Sequence, residues 1–566
     1  MSQFNNFRVP YSVPEQYQTK TAYFCMEYGI DQALKIYSGG LGYLAGSHLR
    51  SAYQLKQNFI GIGILWRTGY YDQGRNIDQS MKAQFLEKDY HFLEDTGITF
   101  QISVNQHPVG VKVWYLNPET FGTAPLFLLS TDLPENDYLA RSICHRLYDS
   151  NVEAKIAQYI LLGVGGCKLL EALGFNADRY HLNEAHGLPA AYYLYQQWGS
   201  LEAVRQKMVI TTHTPVEAGN EKHDIRLLDR MGFFSGLSRN RARELARLYN
   251  DSFNMTLVGL RVSHVANGVS KLHGQVARGM WGNYEAICPI THVTYSQIHL
   301  YWSDKQLDAA LAAGDDATFR ERKSVLKGKL FAEVANQCGK IFREDVLTIV
   351  WARRFAGYKR ADLITRDLAA FEALVHSTRY PVQIIWAGKP YPTDYEAVTV
   401  FNHLVHLSKN YANCAVLVGY ELALSKLLKQ GSDIWLNTPR VPREASGTSG
   451  MTAAMNASVN FSTNDGWIPE FAQHGENSFI VPEVDAHLPH HEQDEIDRRN
   501  LLRVLNEEIL PLYYDRPNDW LTIVKNSMNQ VIPFFDSDRM ADEYYRTMYQ
   551  ASYSPLPEST RMLSVD

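Results

Sequence analysis

The stretch "DVLTIVWARRFAGYKRADLI", residues 345–364, joins an apolar run to a cluster of positive charges. The run is rich in β-branched and aromatic residues, which is typical of a strand buried on both faces of a sheet. Arg353, Arg354, Lys359 and Arg360 follow it, four cations within eight residues. Such a cluster is usually a solvated surface, but its position at the end of a buried strand favours a phosphate clamp, in which arginine supplies a fork and lysine a point charge.

Other apolar runs of the same kind are spread along the chain, at 58–66, 206–213, 381–388, 413–419 and 432–439. Helix-like stretches such as 151–173 and 320–341 alternate with them. From residue 345 onward the spacing fits β-α-β units. We therefore predict an α/β fold with doubly wound parallel sheets, in which ligands bind beyond the carboxyl ends of the strands.

The length of 566 residues is too great for one ordinary core, so more than one domain is expected. We predict a first Rossmann-like domain over 1–293 and a second over 294–538. The segment 295–330 is charged and helical, as a connector between domains can be. The remainder, 539–566, has the pattern of an amphipathic helix with a loose end, which can cross back to the first domain.

Composition narrows the class of protein. The net charge is −6 and no long basic run occurs, which disfavours a nucleic-acid partner. The six cysteines are scattered without a C-x-x-C pair, which indicates reduced thiols in a cytoplasm and argues against a disulfide framework or a zinc site. The N-terminal residues lack an apolar signal core, and no long uninterrupted apolar run suggests a membrane span. We predict a cytoplasmic protein without a membrane partner or a bound metal.

A glycine-rich turn, "YSGGLGYLAG" at 37–46, precedes a predicted helix. Gly39 and Gly40 would let the backbone approach a phosphate or a sugar closely, because no side chain stands in the way. A tight loop whose glycines only satisfy backbone geometry is the simpler explanation of this motif taken alone.

Two polar loops, "HLNEAHGL" at 181–188 and "TTHTPVEAGNE" at 211–221, each follow an apolar stretch. Histidines and amide or carboxylate groups gathered at strand ends suit a site that fixes sugar hydroxyls. A single histidine in such a place is more often structural, whereas three in two loops favour a functional role. The candidates are His181, Asn183, Glu184, His186 and His213.

The loop "EASGTSGMTAAMN", residues 444–456, leads small residues into a predicted helix. Free backbone N–H groups and the helix dipole converge at such a point and can hold an anion. Glu444 can accept hydrogen bonds from sugar hydroxyls, while Thr448 and Ser449 offer hydroxyl groups. A simple helix cap is the alternative.

Together these blocks resemble the α-glucan (glycogen/starch) phosphorylases, in particular their short bacterial form. The resemblance runs over most of the chain and is carried by "AYFCMEYGI", "IYSGGLGYLAGSHL", "GIGILWRTGYY", "LPEND", "HLNEAHGL", "TTHTPVEAGNE", "ANGVSKLHGQV", "WARRFAGYKRA", "WAGKPYP", "GSDIWLNTPRVPREASGTSGM" and "DGW". It implies the two-domain glycosyltransferase B fold, with glucan on the first domain, phosphate on the second and the active site in the cleft between them.

The resemblance also implies roles for individual residues. Arg354 and Lys359 correspond to the residues that bind the substrate phosphate, assisted by the backbone at Gly40. The group around the 5′-phosphate of pyridoxal phosphate corresponds to Arg353, Thr448 and Ser449. In that family the phosphate of this cofactor, not its aldehyde, exchanges a proton with inorganic phosphate.

On the sugar side, Glu444 and the backbone of Ser446 and Gly447 correspond to the groups that bind glucose hydroxyls. His213 corresponds to a histidine beside the scissile glycosyl unit. The predicted catalytic residues are therefore Arg354, Lys359, His213 and Glu444, and the predicted substrate-binding residues include Gly39, Gly40, Asn183, Glu184, His292, Ser446 and Gly447.

Two positions depart from the family pattern. Thr452 follows "SGTSGM", where the family has the lysine that forms an imine with pyridoxal phosphate, and a hydroxyl group cannot form an imine. Lys426 and Lys429 precede the loop across a predicted strand, so neither is expected to replace that lysine. Within 288–297, His292 stands where the family has an asparagine that touches the sugar.

Three functions remain open from the sequence. The first, which the resemblance favours, is a phosphorylase that acts on an α-glucan and phosphate and binds pyridoxal phosphate without a covalent bond. The second is a glycosyltransferase that uses a sugar nucleotide, with the nucleoside in the vacated cofactor slot. The third is a non-catalytic glucan-binding protein, which the retention of Glu444, Arg354, Lys359 and His213 disfavours. The resemblance also implies a homodimer, which is a common state in that family.

Overall fold

The computed structural model describes residues 4–552, and its strands are short and buried where the apolar runs predict them. Within that range the strands are β1 (Thr21–Phe24), β2 (Phe59–Ile64), β3 (Asp72–Arg75), β4 (Met81–Gln84), β5 (Glu94–Val104), β6 (His107–Leu116), β7 (Leu126–Ser130), β8 (Arg179–Asn183), β9 (Met208–Thr211), β10 (Lys222–Asp224), β11 (Ser252–Asn254), β12 (Val265–Gly268), β13 (Ile290–His292), β14 (Leu347–Ala352), β15 (Val382–Ala387), β16 (Cys414–Leu417), β17 (Ile434–Asn437), β18 (Val459–Thr463) and β19 (Ser478–Val481).

Helices cover both faces of the sheets, as expected for strands that are apolar throughout. In the same range the α-helices are α1 (Gly40–Gln54), α2 (Pro118–Phe121), α3 (Tyr138–Ser142), α4 (Val152–Ile160), α5 (Gly166–Leu173), α6 (Pro189–Trp198), α7 (Leu201–Lys207), α8 (Ile225–Met231), α9 (Arg239–Ala246), α10 (Met255–Val262), α11 (Lys271–Trp281), α12 (His299–Trp302), α13 (Lys305–Ala313), α14 (Asp316–Cys338), α15 (Leu368–Val375), α16 (Tyr395–Ser408), α17 (Leu422–Gly431), α18 (Ser449–Ala454), α19 (His490–Val504), α20 (Leu510–Asp515), α21 (Pro517–Phe535) and α22 (Ser537–Tyr544).

The first large sheet has nine strands in the order β13-β12-β9-β8-β1-β2-β7-β6-β5. The strands from β13 to β7 are parallel, and β6 and β5 continue the sheet antiparallel. The chain proceeds from β1 to β2 in one direction and later resumes at β8 on the other side of β1. The carboxyl ends of β1 and β8 therefore border a topological switch point, where open α/β sheets bind ligands.

The second large sheet has six parallel strands in the order β16-β15-β14-β17-β18-β19. Its switch point lies between β14 and β17 by the same reasoning. The cationic turn follows β14, and the small-residue loop lies between β17 and α18. The two sheets and their helices confirm the predicted two-domain fold of the glycosyltransferase B class.

Two elements of the chain tie the domains together. The β3–β4 hairpin reaches the second sheet, where Gln73 Nε2 donates to the Gly388 carbonyl oxygen at 2.8 Å and the Met81 amide donates to Asn402 Oδ1 at 2.8 Å. At the other end of the chain, α22 and a π-helical turn that follows it pack on the first domain. There Asn267 Nδ2 donates to the Tyr544 hydroxyl at 3.0 Å. The part of the tail from residue 553 onward lies outside the described residues.

Among the residues that the structure describes, one helix is long and apolar enough, by length and composition alone, to cross a membrane. It runs through α4, a π-helical turn and α5, over Val152–Leu173, and most of it is buried inside the fold. Its π-helical turn packs against the strands β2, β5 and β7 of the first domain. Gly163 lies so close to the Ala190 amide that a Cβ would meet it at 2.7 Å. The helix is therefore a core element of the first domain.

Candidate active site

A cavity of about 410 Å³ lies between the two domains, where the switch points of both sheets face each other. Its volume is in the range of sites that enclose a small ligand. Residues of the first domain and of the second domain line it together, so neither domain forms the site alone.

The start of helix α1 forms one wall. Glu27, which follows β1, accepts hydrogen bonds from the Ser38 amide at 2.6 Å and the Gly39 amide at 3.2 Å, and this fixes the glycine-rich turn. No side chain caps α1, whose first residue is Gly40. The first N–H groups of a helix have no partner within the helix, so this wall offers donors and a positive dipole end to a ligand.

The cationic turn after β14 forms the opposite wall with three of its four cations. Arg353, Arg354 and Lys359 line the cavity. Arg360 turns away from it, is fully buried, and bonds to Asp494 Oδ1 at 2.9 Å and Asp497 Oδ2 at 2.7 Å. Of the predicted basic cluster, the structure therefore brings the first three residues to the cavity, whereas Arg360 supports the packing of α19 against the turn.

Glu444 lies among these cations. Its Oε2 is 3.3 Å from Lys359 Nζ and 3.4 Å from Arg353 Nη1. Burial would raise the pKa of this carboxyl, but Lys359 and Arg353 outweigh it and lower the pKa. Burial lowers the pKa of Lys359 to about 7, although Glu444 opposes the change. Arg354 keeps its charge, because Tyr358 and Tyr70 offset the effect of burial and its pKa is raised.

The small-residue loop holds its shape through the turn formed by "DGW". Asp465 Oδ2 accepts from the Glu444 amide at 2.8 Å, and the Trp467 amide donates to the Ser446 carbonyl oxygen at 3.0 Å. Gly447 has a φ of 81°, in the left-handed region that favours glycine. Ser446, Gly447, Thr448 and Ser449 all line the cavity as a result.

His213 forms a further part of the cavity wall and belongs to the first domain. His213 Nε2 lies 2.5 Å from Asn183 Oδ1, an acceptor, and His213 Nδ1 lies 2.6 Å from the Tyr295 hydroxyl. These partners place the proton of the ring on Nε2 and make Nδ1 the acceptor. Burial lowers the pKa of His213 well below its ordinary value, so the ring is neutral.

Glu184 lies beside His213 in an unusual conformation. Its φ of 67° and ψ of 169° fall in a region that is almost confined to glycine. Glu184 Oε2 accepts from the His213 amide at 2.9 Å, and burial raises the pKa of Glu184 to about 7. A backbone held under strain at the edge of a cavity is a common feature of functional sites.

Of the remaining predicted residues, two lie at the cavity and two lie away from it. His186 lines the cavity and Asn183 lies directly behind His213. His181 is buried and bonds to the Tyr549 hydroxyl at 2.7 Å and to Thr211 Oγ1 at 2.7 Å, which is a structural role. His292 lies on β13, with its Cβ close to Gly274, and does not belong to the described lining of the cavity.

Several lining residues were not predicted from the sequence. Glu27 orders the glycine-rich turn, and Tyr148 donates its hydroxyl hydrogen to Glu27 Oε1 at 2.8 Å. Tyr295 holds His213, and Tyr43, Tyr358 and Tyr420 complete the wall. Glu27 follows the short apolar strand β1, so its position at a strand end is the sequence signal that points to it.

The wall beside Arg353 carries buried polar atoms of the kind that a phosphate group would satisfy. Within the described residues, Arg353 Nε and Nη1 are buried and have no hydrogen-bond partner, and the same is true of Glu444 Oε2. A Cβ built at Gly40 would have Thr448 Oγ1, at 3.9 Å, as its nearest neighbour, so the space between these two walls is open. The residues that the resemblance assigns to a cofactor phosphate thus surround unsatisfied donors.

Thr452 does not reach this space. It is fully buried on α18 and donates its hydroxyl hydrogen to the Ser449 carbonyl oxygen at 3.1 Å. Lys429 is buried on α17, a helix that contacts α18 although the strand β17 lies between them in sequence. No group of three metal-binding side chains occurs in the part of the chain that the structure describes.

Two Rossmann-like domains that enclose such a cleft define the two-domain fold of the glycosyltransferase B class. No protein-family model matches the chain. Maltodextrin phosphorylase of Thermococcus litoralis is 33% identical over 94% of this chain and 71% of its own length, and glycogen phosphorylase of Mycobacterium bovis is 30% identical over 96% and 72%. An uncharacterized protein of Methanocaldococcus jannaschii is 44% identical over 94% of this chain and 99% of its own length. The chain belongs to the glycogen/maltodextrin phosphorylase family.

Proposed function

We propose that this chain is a hexosyltransferase of the α-glucan phosphorylase type, which transfers a glucosyl unit between an α-glucan and inorganic phosphate. The observation that supports this most directly is the convergence of Arg353, Arg354 and Lys359 with the uncapped start of α1 on one interdomain cavity. Fixed positive charges and backbone donors aimed at one point stabilise a phosphate and the charge that develops during transfer.

The substrate phosphate binds to Arg354, Lys359 and the backbone N–H at Gly40 in this proposal. Arg354 supplies a permanent charge. Lys359 is poised near its pKa, and an anion beside it favours its protonated form, so that binding and protonation are coupled.

The glucosyl unit binds between Glu444 and His213. Glu444 and the backbone of Ser446 and Gly447 accept and donate hydrogen bonds to its hydroxyls. Because both ring nitrogens of His213 already have protein partners, the ring acts as a fixed neutral wall that positions the sugar and excludes water. Asn183 and Tyr295 hold that wall in place.

Pyridoxal phosphate would be held by Arg353, Thr448 and Ser449, whose unsatisfied donors fit its phosphate. When bound, it supplies a second phosphate group able to exchange a proton with inorganic phosphate. Arg353 would neutralise that group, and Glu444 would keep Arg353 and Lys359 oriented until both anions are present. Thr452 provides no imine.

A ligand screen by melting temperature, combined with a phosphorolysis assay on maltooligosaccharides, tests this proposal. We expect pyridoxal phosphate and maltooligosaccharides each to raise the melting temperature through mass action, and the loaded protein to release glucose 1-phosphate. Stabilisation by a nucleoside diphosphate alone, or by glucan alone without phosphorolysis, would replace the proposal with a sugar-nucleotide transferase or a glucan-binding protein.

We further propose a cytoplasmic homodimer. The six cysteines are free thiols, five of them buried, which suits a reducing compartment. Fractionation of the source cells and sedimentation velocity of the full chain test the location and the dimer.

A further inference from the structure

Glu421 lies at the boundary of the two domains and contacts both of them. It precedes α17 in the second domain and is buried. Its Oε1 lies 2.9 Å from Lys389 Nζ of the same domain. Its Oε2 lies 3.0 Å from Lys35 Nζ and accepts a hydrogen bond from Gln32 Nε2 at 2.7 Å, and both of these residues belong to the first domain. One carboxylate therefore bridges the two domains, with a different oxygen for each.

The start of α17 extends this contact to the glycine-rich turn. The first amides of a helix have no partner within the helix, and α17 has no side-chain cap of its own. The first domain supplies partners instead. The Leu422 amide donates to the Tyr37 hydroxyl at 3.1 Å, and the Ala423 amide donates to Gln32 Oε1 at 2.9 Å. Tyr37 directly precedes the turn at 38–40, which lines the cavity, so these bonds fix the turn relative to the second domain.

Lys389 carries the contact into the cavity. It follows β15, is buried and lines the cavity. Two of the three N–H donors of its ammonium group have protein acceptors, Glu421 Oε1 at 2.9 Å and the Tyr71 carbonyl oxygen of the first domain at 2.8 Å. In the opposite direction, the Tyr71 hydroxyl donates to the Pro390 carbonyl oxygen at 2.7 Å. Lys389 is thus a cavity residue whose amine is bonded to both domains.

The charges of this cluster strengthen the contact. Burial raises the pKa of Glu421, but Lys389 and Lys35 outweigh it and lower the pKa to about 2. Burial also opposes the charge of Lys35, but Glu421 and Asp72 raise the pKa of this lysine. A carboxylate that stays charged between two lysines fixes their geometry more tightly than neutral groups would, because charge-assisted hydrogen bonds are shorter and stronger.

The two domains have a separate connection in the β3–β4 hairpin. Gln73 bonds to Gly388 and Met81 bonds to Asn402, and none of these four residues belongs to the described lining of the cavity. The hairpin therefore joins the domains without touching the site. The Glu421 contact differs from it, because it connects residues of the cavity wall on both sides.

We infer that Glu421 is a positioning residue for the transfer reaction, an inference that rests on the proposed function. Through Lys35 it holds the segment that leads into the glycine-rich turn, and through Lys389 it holds the wall of the second domain. The first N–H groups of α1 and the cations Arg354 and Lys359 are thereby kept at the spacing at which both reach one anion. A displacement of about 1 Å between such groups can cost about 100-fold in rate.

Calorimetric titration of the full chain with sulfate, at one pH, tests the inference without an activity measurement. Glu421→Gln should weaken sulfate binding by roughly tenfold because the two walls lose their common anchor. Removal of a negative charge beside the cavity would by electrostatics alone strengthen the binding of an anion, so weaker binding reports the position of the walls. The sign of the change therefore separates the two effects.

Lys35→Met removes the same contact from the side of the first domain and should also weaken sulfate binding by roughly tenfold. In the double variant with Glu421→Gln, the loss should be smaller than the product of the two single losses, because both substitutions break one contact. Lys35→Arg keeps the charge and should bind sulfate like the wild type. Lys88→Met is the matched control, since Lys88 pairs with Asp72 inside the first domain and its loss changes the net charge equally.

Kinetics give a second reading. In Lys35→Met we expect kcat of phosphorolysis to fall by roughly 10- to 100-fold while the KM for maltooligosaccharide stays about the same, because the substitution displaces the anion site and not the sugar-binding loop. Melting temperatures control for folding. Should Lys35→Met fail to fold, Glu421→Gln and Lys35→Arg still decide the question.

Equal sulfate affinities of Lys35→Met and Lys88→Met, or tighter binding by Glu421→Gln, would overturn the inference. A lower melting temperature with unchanged sulfate affinity would do the same, because the contact would then serve stability alone. If the wild type phosphorolyses glucan but Lys35→Met behaves like the control, only the positioning role fails. If the sulfate affinities follow the expected pattern but no glucan is phosphorolysed, the positioning of an anion site stands and the proposed function fails.

Discussion

Lys359 Nζ and Glu444 Oε2 lie 3.3 Å apart, although one belongs to the turn after β14 and the other to the loop that leads into α18. Arg353 approaches the same oxygen. Since Oε2 makes no hydrogen bond to a described residue, these are charge contacts that a ligand can replace. Glu444 thus balances two cations in the cleft and would exchange them for sugar hydroxyls when anions bind.

Arg354→Ala should lower glucosyl transfer by roughly 10²- to 10³-fold, the usual effect of removing one preorganised charge from a transition-state site. The reason is that Arg354 remains charged in the cleft while Lys359 is near its pKa. Steady-state kinetics of phosphorolysis measure the loss. Arg379→Ala, at an arginine that stacks on Tyr380 away from the cavity, is the matched control, and equal activities of the two variants would remove Arg354 from the phosphate clamp.

Anion binding should weaken as the pH rises above about 7. Below that value Lys359 is protonated, and above it the buried amine loses its charge. Sulfate is a suitable probe because its own charge is constant from pH 6 to pH 9. Its affinity should fall by up to about tenfold per pH unit, since one proton is taken up on binding. Lys359→Arg should flatten the profile, and a profile that keeps its slope in this variant would contradict the assignment.

Gly40→Ala should weaken anion binding by roughly tenfold without unfolding the protein. The added Cβ meets no described atom closer than Thr448 Oγ1 at 3.9 Å, and alanine is a better helix former than glycine. The methyl group would instead stand where the ligand approaches the first N–H groups of α1. Calorimetric titration with sulfate or phosphate measures the effect. Gly279→Ala, on the helix α11 with open space around it, should bind like the wild type.

Glu184→Gln should stabilise the protein at alkaline pH and leave it unchanged at acid pH. The folded-state pKa of about 7 lies above the ordinary value of 4.5, so ionisation disfavours the folded state progressively between these values and fully above 7. Each pKa unit corresponds to about 1.4 kcal/mol, and after allowance for partial exposure we expect a gain on the order of 2 kcal/mol at pH 8. Urea unfolding at pH 4 and pH 8 measures it. A gain of the same size at both pH values would mean that the carboxyl does not titrate there.

The candidate site shows which inferences local sequence supports. Arg353, Arg354 and Lys359 could be predicted because a buried strand before a cationic turn fixes where its carboxyl end lies. Arg360 has the same charge and nearly the same position, yet it is directed to Asp494 and Asp497 on α19. The direction in which a side chain leaves a turn depends on carboxylates more than 130 residues further along the chain, and no local pattern encodes them.

Lys429 also shows that local sequence does not reveal which distant segments come together in the fold. Along the chain, the strand β17 separates it from the small-residue loop, and this separation argued against any relation to position 452. In space, α17 and α18 lie side by side and Trp302, from the connector, brings them together. Contacts between distant segments depend on the order of the strands in the sheet, which places β14 beside β17 although β15 and β16 lie between them in sequence.

The sequence by itself determined the alternation of buried strands and helices, the two-domain class, the phosphorylase-like motifs and the presence of threonine at 452. These follow from hydrophobic periodicity and from residue types at fixed short spacing, which depend on local geometry alone. Only the tertiary structure decided which cations face the cleft, how His213 is held neutral, that Glu184 is strained, and that the Lys429 amine lies on the Trp302 ring. These properties depend on burial and on the partners of charged groups, and both are set by the packing of segments that are far apart in the chain.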